Sequence, residues 1–243
     1  MNDRDLLFSN VLNAPADEAA RLVLADWLEE NDEETFGRFV RAGILAAQFR
    51  TLDRLDDPTY YDFLRVIAAV TQSGVPARWL SALGIGPSPL TAADWVWDHD
   101  GDRVTVRIGA TAGVFTRGLL SELLLPLANW YAAAVPALAV WPLERATITN
   151  VPGLSYWIDP PDADHPMWRL SAAFTVQTRR RRRGLLRQLG AFFGSEGEPR
   201  PLPVGRWAIE RSFPDRATLV RLTRDVLPVL LDEVRDAAGE QWV

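Results

Sequence analysis

The chain has 243 residues, an apolar fraction of 48% and a net charge of -6, a composition that supports a folded core and excludes a disordered or fibrous chain. It contains no cysteine, which excludes a disulfide framework, a thiol nucleophile and a zinc site built on thiolates. All 26 basic residues are arginine, and the absence of lysine excludes a Schiff base, a lysine general base and a lysine-containing phosphate-binding loop.

Four amphipathic helices are predicted at the beginning of the chain, because apolar residues recur there at three- and four-residue spacing. Pro15 marks the start of the second helix and Gly74 the end of the fourth. Short connections favour antiparallel packing of the helices. The apolar stripes run from Leu6 to Leu12, Ala20 to Leu28, Phe36 to Ala47 and Tyr60 to Val70.

The rest of the chain alternates strand and helix patterns. Strands at Trp95 to Trp97 and Val104 to Ile108 flank an Asp-Gly sequence, which predicts a β-hairpin with its turn over Asp98 to Asp102. Leucines at helical spacing predict a helix over Leu119 to Ala139. Further strands are predicted over Arg145 to Thr149, Leu170 to Thr178 and Arg206 to Phe213, with a closing helix over Leu219 to Val234 that Pro228 should kink.

This order of elements predicts an α+β protein, in which a small helical module at the N-terminus precedes a mostly antiparallel sheet with flanking helices. The sequence GIGPSPLT at 84–91 interrupts both the helical spacing and the strand alternation of apolar residues. It therefore predicts a boundary between folding domains. The predicted domains are a helical module at 1–84 and an α+β domain at 91–243. An arginine-rich insertion occupies about 179–200 of the second domain.

Two stretches of the helical module carry a recognisable motif, RLVLADWLEE at 21–30 and FGRFVRA at 36–42. Through them the segment from Asp5 to Arg41 resembles the bacterial repeat-companion domain, whose pattern reads approximately RLVxADWLEExGD followed by GEFIRxQ. Arg38 stands where that family usually has Glu, and Ala42 where it usually has Leu. A weaker resemblance at 117–149 is to regions that follow this domain. The resemblance implies a helical module fused to varied partners and transfers no catalytic residues. For Asp26 and Trp27 we expect helix packing, with Trp27 in the core and Asp26 bonded locally.

The charge is unevenly distributed along the chain. Residues 1–65 hold 14 acids and 7 arginines, whereas residues 171–243 hold 9 acids and 13 arginines. Five adjacent guanidinium groups, with one more close by, form a candidate anion-binding run at Arg179, Arg180, Arg181, Arg182, Arg183 and Arg187. Such a run favours phosphate groups of a nucleic acid or an anionic membrane surface. The alternative is a solvated loop between two strands whose apolar residues cover the sheet.

Two acidic clusters each contain one of the two histidines, and carboxylates with imidazole are ligands for divalent metals. If the two loops meet, they would form a hydrolytic metal site. The alternative is turn chemistry, since Asp favours loop corners and prolines surround the second cluster. The candidate ligands are Asp98, His99, Asp100 and Asp102 in the first cluster, and Asp159, Asp162, Asp164 and His165 in the second.

The sequence favours a non-enzymatic interaction protein, a subunit or adaptor of a bacterial assembly with a protein partner. The resemblance to the repeat-companion domain, the ten tryptophans and the absence of a catalytic motif support binding as the leading interpretation. The alternatives are an anionic-surface binder acting through 179–187 and a metal-dependent hydrolase. No cofactor is predicted. The polar N-terminal sequence and the absence of an apolar run of about 20 residues predict a cytoplasmic protein with no transmembrane segment.

Overall fold

A computed structural model of the chain describes residues 2–49, 57–149, 155–161, 164–175, 200–201 and 206–225. Helices come first and mostly antiparallel strands with flanking helices follow, so the predicted α+β class is confirmed. The chain forms two compact units, one of residues 1–123 with 140–143 and the other of residues 124–139 with 144–243. Within the described ranges, no helix combines the length and the apolar character that crossing a lipid bilayer requires.

The first unit begins with five helices. The four predicted helices are present, and side chains of Asn2, Asp17 and Asp57 cap three of them by accepting hydrogen bonds from backbone N–H groups of the first turn. A fifth helix was not predicted. Gly74, the predicted end of the fourth helix, is also the N-cap of this new helix, and Pro76 lies in its first turn. The helices are α1 (Asp3–Asn13), α2 (Glu18–Glu30), α3 (Glu34–Gln48), α4 (Pro58–Gln72) and α5 (Val75–Ala82).

Four strands follow as a meander in the order β1-β2-β3-β4. Each connection is a turn of two residues, and Gly101, Gly109 and Gly118 supply the positive φ that such turns need. The predicted hairpin is confirmed, although its first strand continues through residues 98–100. The strands are β1 (Trp95–Asp100), β2 (Arg103–Ile108), β3 (Thr111–Thr116) and β4 (Leu119–Leu125).

The predicted helix over Leu119 to Ala139 is wrong in its first part, where the chain forms β4. Five of the seven residues of β4 are buried, and such a strand reads as a continuous apolar run rather than an alternating one. Spacing alone does not distinguish that run from a helix. The helix begins at Leu127 and continues past Pro136.

Aromatic rings form the centre of the first unit. Trp79 of α5 lies with its ring centroid 4.4 Å from that of Phe36 and 5.8 Å from those of Phe39, Phe115 and Trp141. These rings join two helices, a strand and the 140–143 segment in one apolar cluster. The segment 84–91 connects α5 to β1 within this unit. The boundary between folding domains at that segment stays a prediction.

The second unit contains most of α6 and a five-stranded sheet of order β5-β6-β7-β9-β8, whose neighbouring strands are antiparallel. The predicted strands at 145–149, 170–178 and 206–213 are confirmed over the described residues, whereas β6 was not predicted. The predicted closing helix begins as α7, and its continuation through Pro228 lies outside the described residues. The elements are α6 (Leu127–Val140), β5 (Arg145–Ile148), β6 (Ser155–Asp159), β7 (Trp168–Thr175), β8 (Arg200–Pro201), β9 (Arg206–Phe213) and α7 (Arg216–Asp225).

Candidate functional site

The polar residues of the 21–42 motif hold α2 against α3. Arg41 of α3 donates from Nε to Glu29 Oε1 at 2.9 Å and from Nη2 to Asp26 Oδ1. The hydrogen bonds to Glu29 and Asp26 raise the pKa of Arg41. Asp26 therefore bonds to the neighbouring helix rather than locally, and Trp27 is only partly buried.

Gly37 sets how closely these two helices approach. A Cβ at this position would lie 2.6 Å from the carbonyl oxygen of Ala25 and 2.6 Å from Cγ of Glu29. Leu24, Leu28 and Phe39 of the motif are fully or almost fully buried. The motif residues thus pack α2 against α3, and the hydrogen bonds of Arg41 to Glu29 and Asp26 form a clamp between the two helices.

A cavity of about 500 Å³ opens beside the connection between α2 and α3. Its rim is acidic and its floor is apolar, since Phe36 and Trp79 belong to the aromatic cluster of the unit. Concave sites that combine an apolar floor with a few polar groups are typical of binding sites. The lining residues are Glu29, Glu30, Asp32, Glu33, Glu34, Thr35, Phe36, Val75 and Trp79.

Arginines of the same unit neutralise part of the rim. Arg4 forms a fork on Glu33, with Nε 2.6 Å from Oε1 and Nη2 3.0 Å from Oε2, and the hydrogen bond to Glu33 raises the pKa of Arg4. Arg41 donates a single hydrogen bond to Glu29, because its second donor binds Asp26. The carboxylates of Glu33 and Glu29 therefore already have arginine partners within the unit.

Three acids of the rim are less engaged. Glu34 lies 3.7 Å from Arg38, with both side chains well exposed. Glu30 and Asp32 form no ion pair or hydrogen bond with any other described side chain, and both are exposed. As far as the described residues show, the cavity consequently presents unpaired negative charge above an aromatic floor.

The position of Glu30 is unfavourable for helix stability. It is the last residue of α2, whose final turn contains no basic residue, and the C-terminal end of a helix carries partial negative charge. A carboxylate there costs about 0.3–1 kcal/mol. Functional sites can retain residues that reduce stability.

The first Asp/His cluster does not converge. Strand alternation places His99 on one face of β1 and the side chains of Asp98 and Asp100 on the other. Asp102 is buried in the turn that follows, and its backbone oxygen accepts from the N–H of Arg117 at 3.2 Å. Asp98 instead lies 3.8 Å from Arg107 of β2.

The second Asp/His cluster is only partly described. Asp159 is the last residue of β6 and faces Arg169 of β7 with an oxygen-to-nitrogen distance of 3.7 Å. Asp164 and His165 are exposed in the loop before β7, and Asp162 lies outside the described residues. Among the described parts of the chain, no group of three His, Cys, Asp or Glu residues is placed to hold a metal ion.

The arginine run at 179–183 and Arg187 lies outside the described residues. Binding of anions through it stays a prediction. Of the ten tryptophans, Trp141 and Trp168 are buried, and Trp95 and Trp97 are partly buried on one face of β1.

Sequence reasoning missed the acidic cavity. The signal was the run Glu29 to Glu34, which contains five acids in six residues, followed by an aromatic residue at Phe36. The contribution of Trp79 had no local signal, because α5 reaches the cavity only in the folded unit.

Comparisons with family models, with curated proteins and with solved structures found no match for this chain. The likeness to the repeat-companion domain therefore stays a prediction from the motif residues.

Proposed function

We propose that this chain is a non-enzymatic protein-interaction module, whose acidic cavity beside α2 and α3 binds a basic segment of a protein partner. The observation that carries the proposal is the cavity itself, in which Glu30 and Asp32 are free of ion pairs to described residues above Phe36 and Trp79. The likeness of 5–41 to the repeat-companion domain also supports the proposal, because it implies a small helical module attached to varied partners.

Arginine is the side chain that this chemistry favours. A planar guanidinium stacks on an aromatic face and donates to carboxylates in its own plane. Trp79 is partly buried and lines the floor, while the acids occupy the rim. An inserted arginine would therefore stack on the floor and donate to Glu30 and Asp32.

The stability cost of the rim supports binding over a purely structural role. Glu30 ends a helix where a negative charge is unfavourable, and Asp32 adopts a left-handed φ of 64° just beyond it. Neither side chain forms an ion pair or a hydrogen bond with the described residues. Their carboxylates would form ion pairs with a bound cation.

The test uses an array of immobilised peptides that differ only in one central residue, which is arginine, lysine or citrulline. Citrulline keeps the size and planarity of arginine but removes its charge. We expect the full-length chain to bind the arginine peptides most tightly, the lysine peptides less and the citrulline peptides least.

Two variants locate the binding. The double variant Glu30→Gln/Asp32→Asn should lose most of the binding, about tenfold or more, because charge-assisted hydrogen bonds contribute about 1.5–3 kcal/mol each. Asp62→Asn removes an exposed acid of α4 outside the cavity and should leave binding unchanged. Equal binding of arginine and citrulline peptides, or equal loss in both variants, would contradict the proposal.

A further inference from the structure

The outer edge of β1 is a second surface suited to a protein partner, and it shares no residue with the acidic cavity. β1 is the first strand in the sheet order and pairs only with β2, from Trp95 opposite Ile108 to Asp100 opposite Arg103. No other strand in the described part of the chain pairs with it. An open edge of this kind can accept an added strand.

The hairpin geometry fixes which backbone groups face outward. Asp100 and Arg103 close a two-residue turn and therefore form a hydrogen-bonded pair, and such pairs alternate along an antiparallel ladder. The backbone groups of Trp97 and His99 consequently point away from β2. Trp95 lies against the helices, since its ring would be 3.2 Å from a Cβ on Gly74. The accessible edge is centred on Trp97 and His99.

The side chains beside this edge define the chemistry of an added strand. On one face Val96 is 62% exposed, and Asp98 and Asp100 are exposed next to it. On the opposite face the rings of Trp97 and His99 stack, with centroids 5.8 Å apart and planes at 17°. Nδ1 of His99 is shielded from solvent and has no hydrogen-bond partner among the described residues.

Charge decides between a second copy of this chain and a different partner. Antiparallel pairing places side chains of the same face opposite each other. A second β1 would therefore bring Asp98 or Asp100 against the same acids of its copy, and like charges in opposed positions destabilise a strand pair. Basic side chains in those positions would form favourable pairs.

We propose that the edge of β1 binds an extended peptide segment of a protein partner, with basic residues opposite Asp98 and Asp100 and apolar residues beside Trp97 and His99. Backbone hydrogen bonds to Trp97 and His99 give affinity, and the alternation of basic and apolar residues gives specificity.

The experiment uses the full-length chain and an acetylated, amidated octapeptide that alternates arginine and valine. Hydrogen exchange followed by NMR should slow at the amides of Trp97 and His99 when the peptide binds, because only these amides gain partners. Alternate N-methylation of the peptide keeps its side chains and removes the pairing N–H groups. It should weaken binding at least about fivefold. A block peptide of the same composition, with its arginines first, should also bind more weakly.

Variants of the protein test the charges. Asp98→Asn and Asp100→Asn should each weaken binding by about two- to fivefold, as opposed charge pairs do across strands. Because the arginines of this peptide also suit the acidic cavity, binding at β1 is measured as the protection of the Trp97 and His99 amides in the Glu30→Gln/Asp32→Asn background, so the two proposals fail separately. Asp62→Asn, which removes an exposed acid of α4, should leave this protection unchanged.

Three results would overturn the inference. The first is no binding of the alternating peptide at a concentration of about 1 mM. The second is binding that N-methylation or the Asp98 and Asp100 variants do not change. The third is concentration-dependent self-association that protects Trp97 and His99, which would assign the edge to a second copy.

Discussion

Gly118 in the β3–β4 turn packs directly on the backbone of Val40 in α3. A Cβ on Gly118 would overlap Cα of Val40 and lie 2.7 Å from its nitrogen, and Gly118 has a left-handed φ of 74°. On the helix side, a Cβ on Gly43 would lie 2.7 Å from the backbone of Arg117 and Gly118. Two glycines thus allow a helix and a hairpin turn to touch without side chains between them.

Gly118→Ala should lower the free energy of unfolding by about 2–5 kcal/mol, the sum of left-handed strain and overpacking. Gly84→Ala is the matched control, because Gly84 has a φ of 79° and open space around its Cβ position. It should cost only about 1–2 kcal/mol. Urea denaturation of both variants measures the difference, and equal losses would show that the contact with Val40 is not tight.

Arg41→Met should destabilise the first unit by about 1 kcal/mol, since it removes two partly exposed ion pairs. Arg41→Lys should recover only part of this loss, because an ammonium group cannot form the fork. High salt should reduce the effect. Arg65→Met removes a highly exposed pair on α4 and should change stability by less than about 0.5 kcal/mol. A loss as large as that of Arg41→Met would argue against a special role of the clamp.

Glu30→Lys should raise the free energy of unfolding by about 0.5–1 kcal/mol, because it replaces an unfavourable charge at the end of α2 with a favourable one. The same variant should abolish binding of arginine peptides. Glu18→Lys in the first turn of α2 should have the opposite effect on stability, since Glu18 favours the helix dipole and pairs with Arg117 at 3.1 Å. Thermal denaturation and the peptide array together separate the two roles, and reduced stability in Glu30→Lys would contradict the helix-end argument.

Asp94 should titrate below its usual pKa of 3.8 because the hydroxyl and then the backbone N–H of Thr91 donate to it, at 2.6 and 2.7 Å. A lowered pKa means that its contribution to stability is present above pH 3.8 and is lost as the pH falls through the folded value. Thr91→Ala removes the larger cause and should raise the pKa toward 3.8. NMR titration of the Asp94 carboxyl carbon checks this, and an unchanged pKa in the variant would contradict it.

Arg216→Met should destabilise the second unit by about 1–3 kcal/mol. Arg216 is 5% exposed, donates to the carbonyl oxygen of Leu138 at 2.6 Å and lies 5.3 Å from the ring centre of Trp168. Burial lowers its pKa to about 10, which leaves it charged at neutral pH. Its loss would strand a buried acceptor. Arg221→Met, on the exposed side of α7, should change stability by less than about 0.5 kcal/mol, and denaturation curves of the two variants provide the comparison.

Local sequence patterns were sufficient to predict those helices and turns whose residues carry the signal within the element itself. The stripes of α1 to α4 predicted helices because one face of each is buried, and Asp100-Gly101 predicted the first hairpin because glycine supplies the positive φ that the turn requires. The same patterns failed at β4, where burial of five of seven residues removes the alternation that marks a strand.

The candidate sites depended more on the tertiary structure. The acid run at 29–34 is visible in the sequence, but the cavity needs Trp79 from a helix more than forty residues later. The cluster at 98–102 looked like a set of ligands in the sequence, whereas strand alternation separates His99 from the acids on either side. Helix packing brought Trp79 to the acidic run, and side-chain alternation along β1 separated His99 from its neighbouring acids.

The sequence by itself determined the α+β class, the helical beginning and the chemistry that this chain lacks, because composition and periodicity reflect burial along a single element. Only the tertiary structure decided that Arg41 clamps α2, that Gly118 meets Val40, and that β1 presents an open edge in the described residues. These features depend on distances between elements remote in the chain, and such distances are set by packing rather than by local propensity.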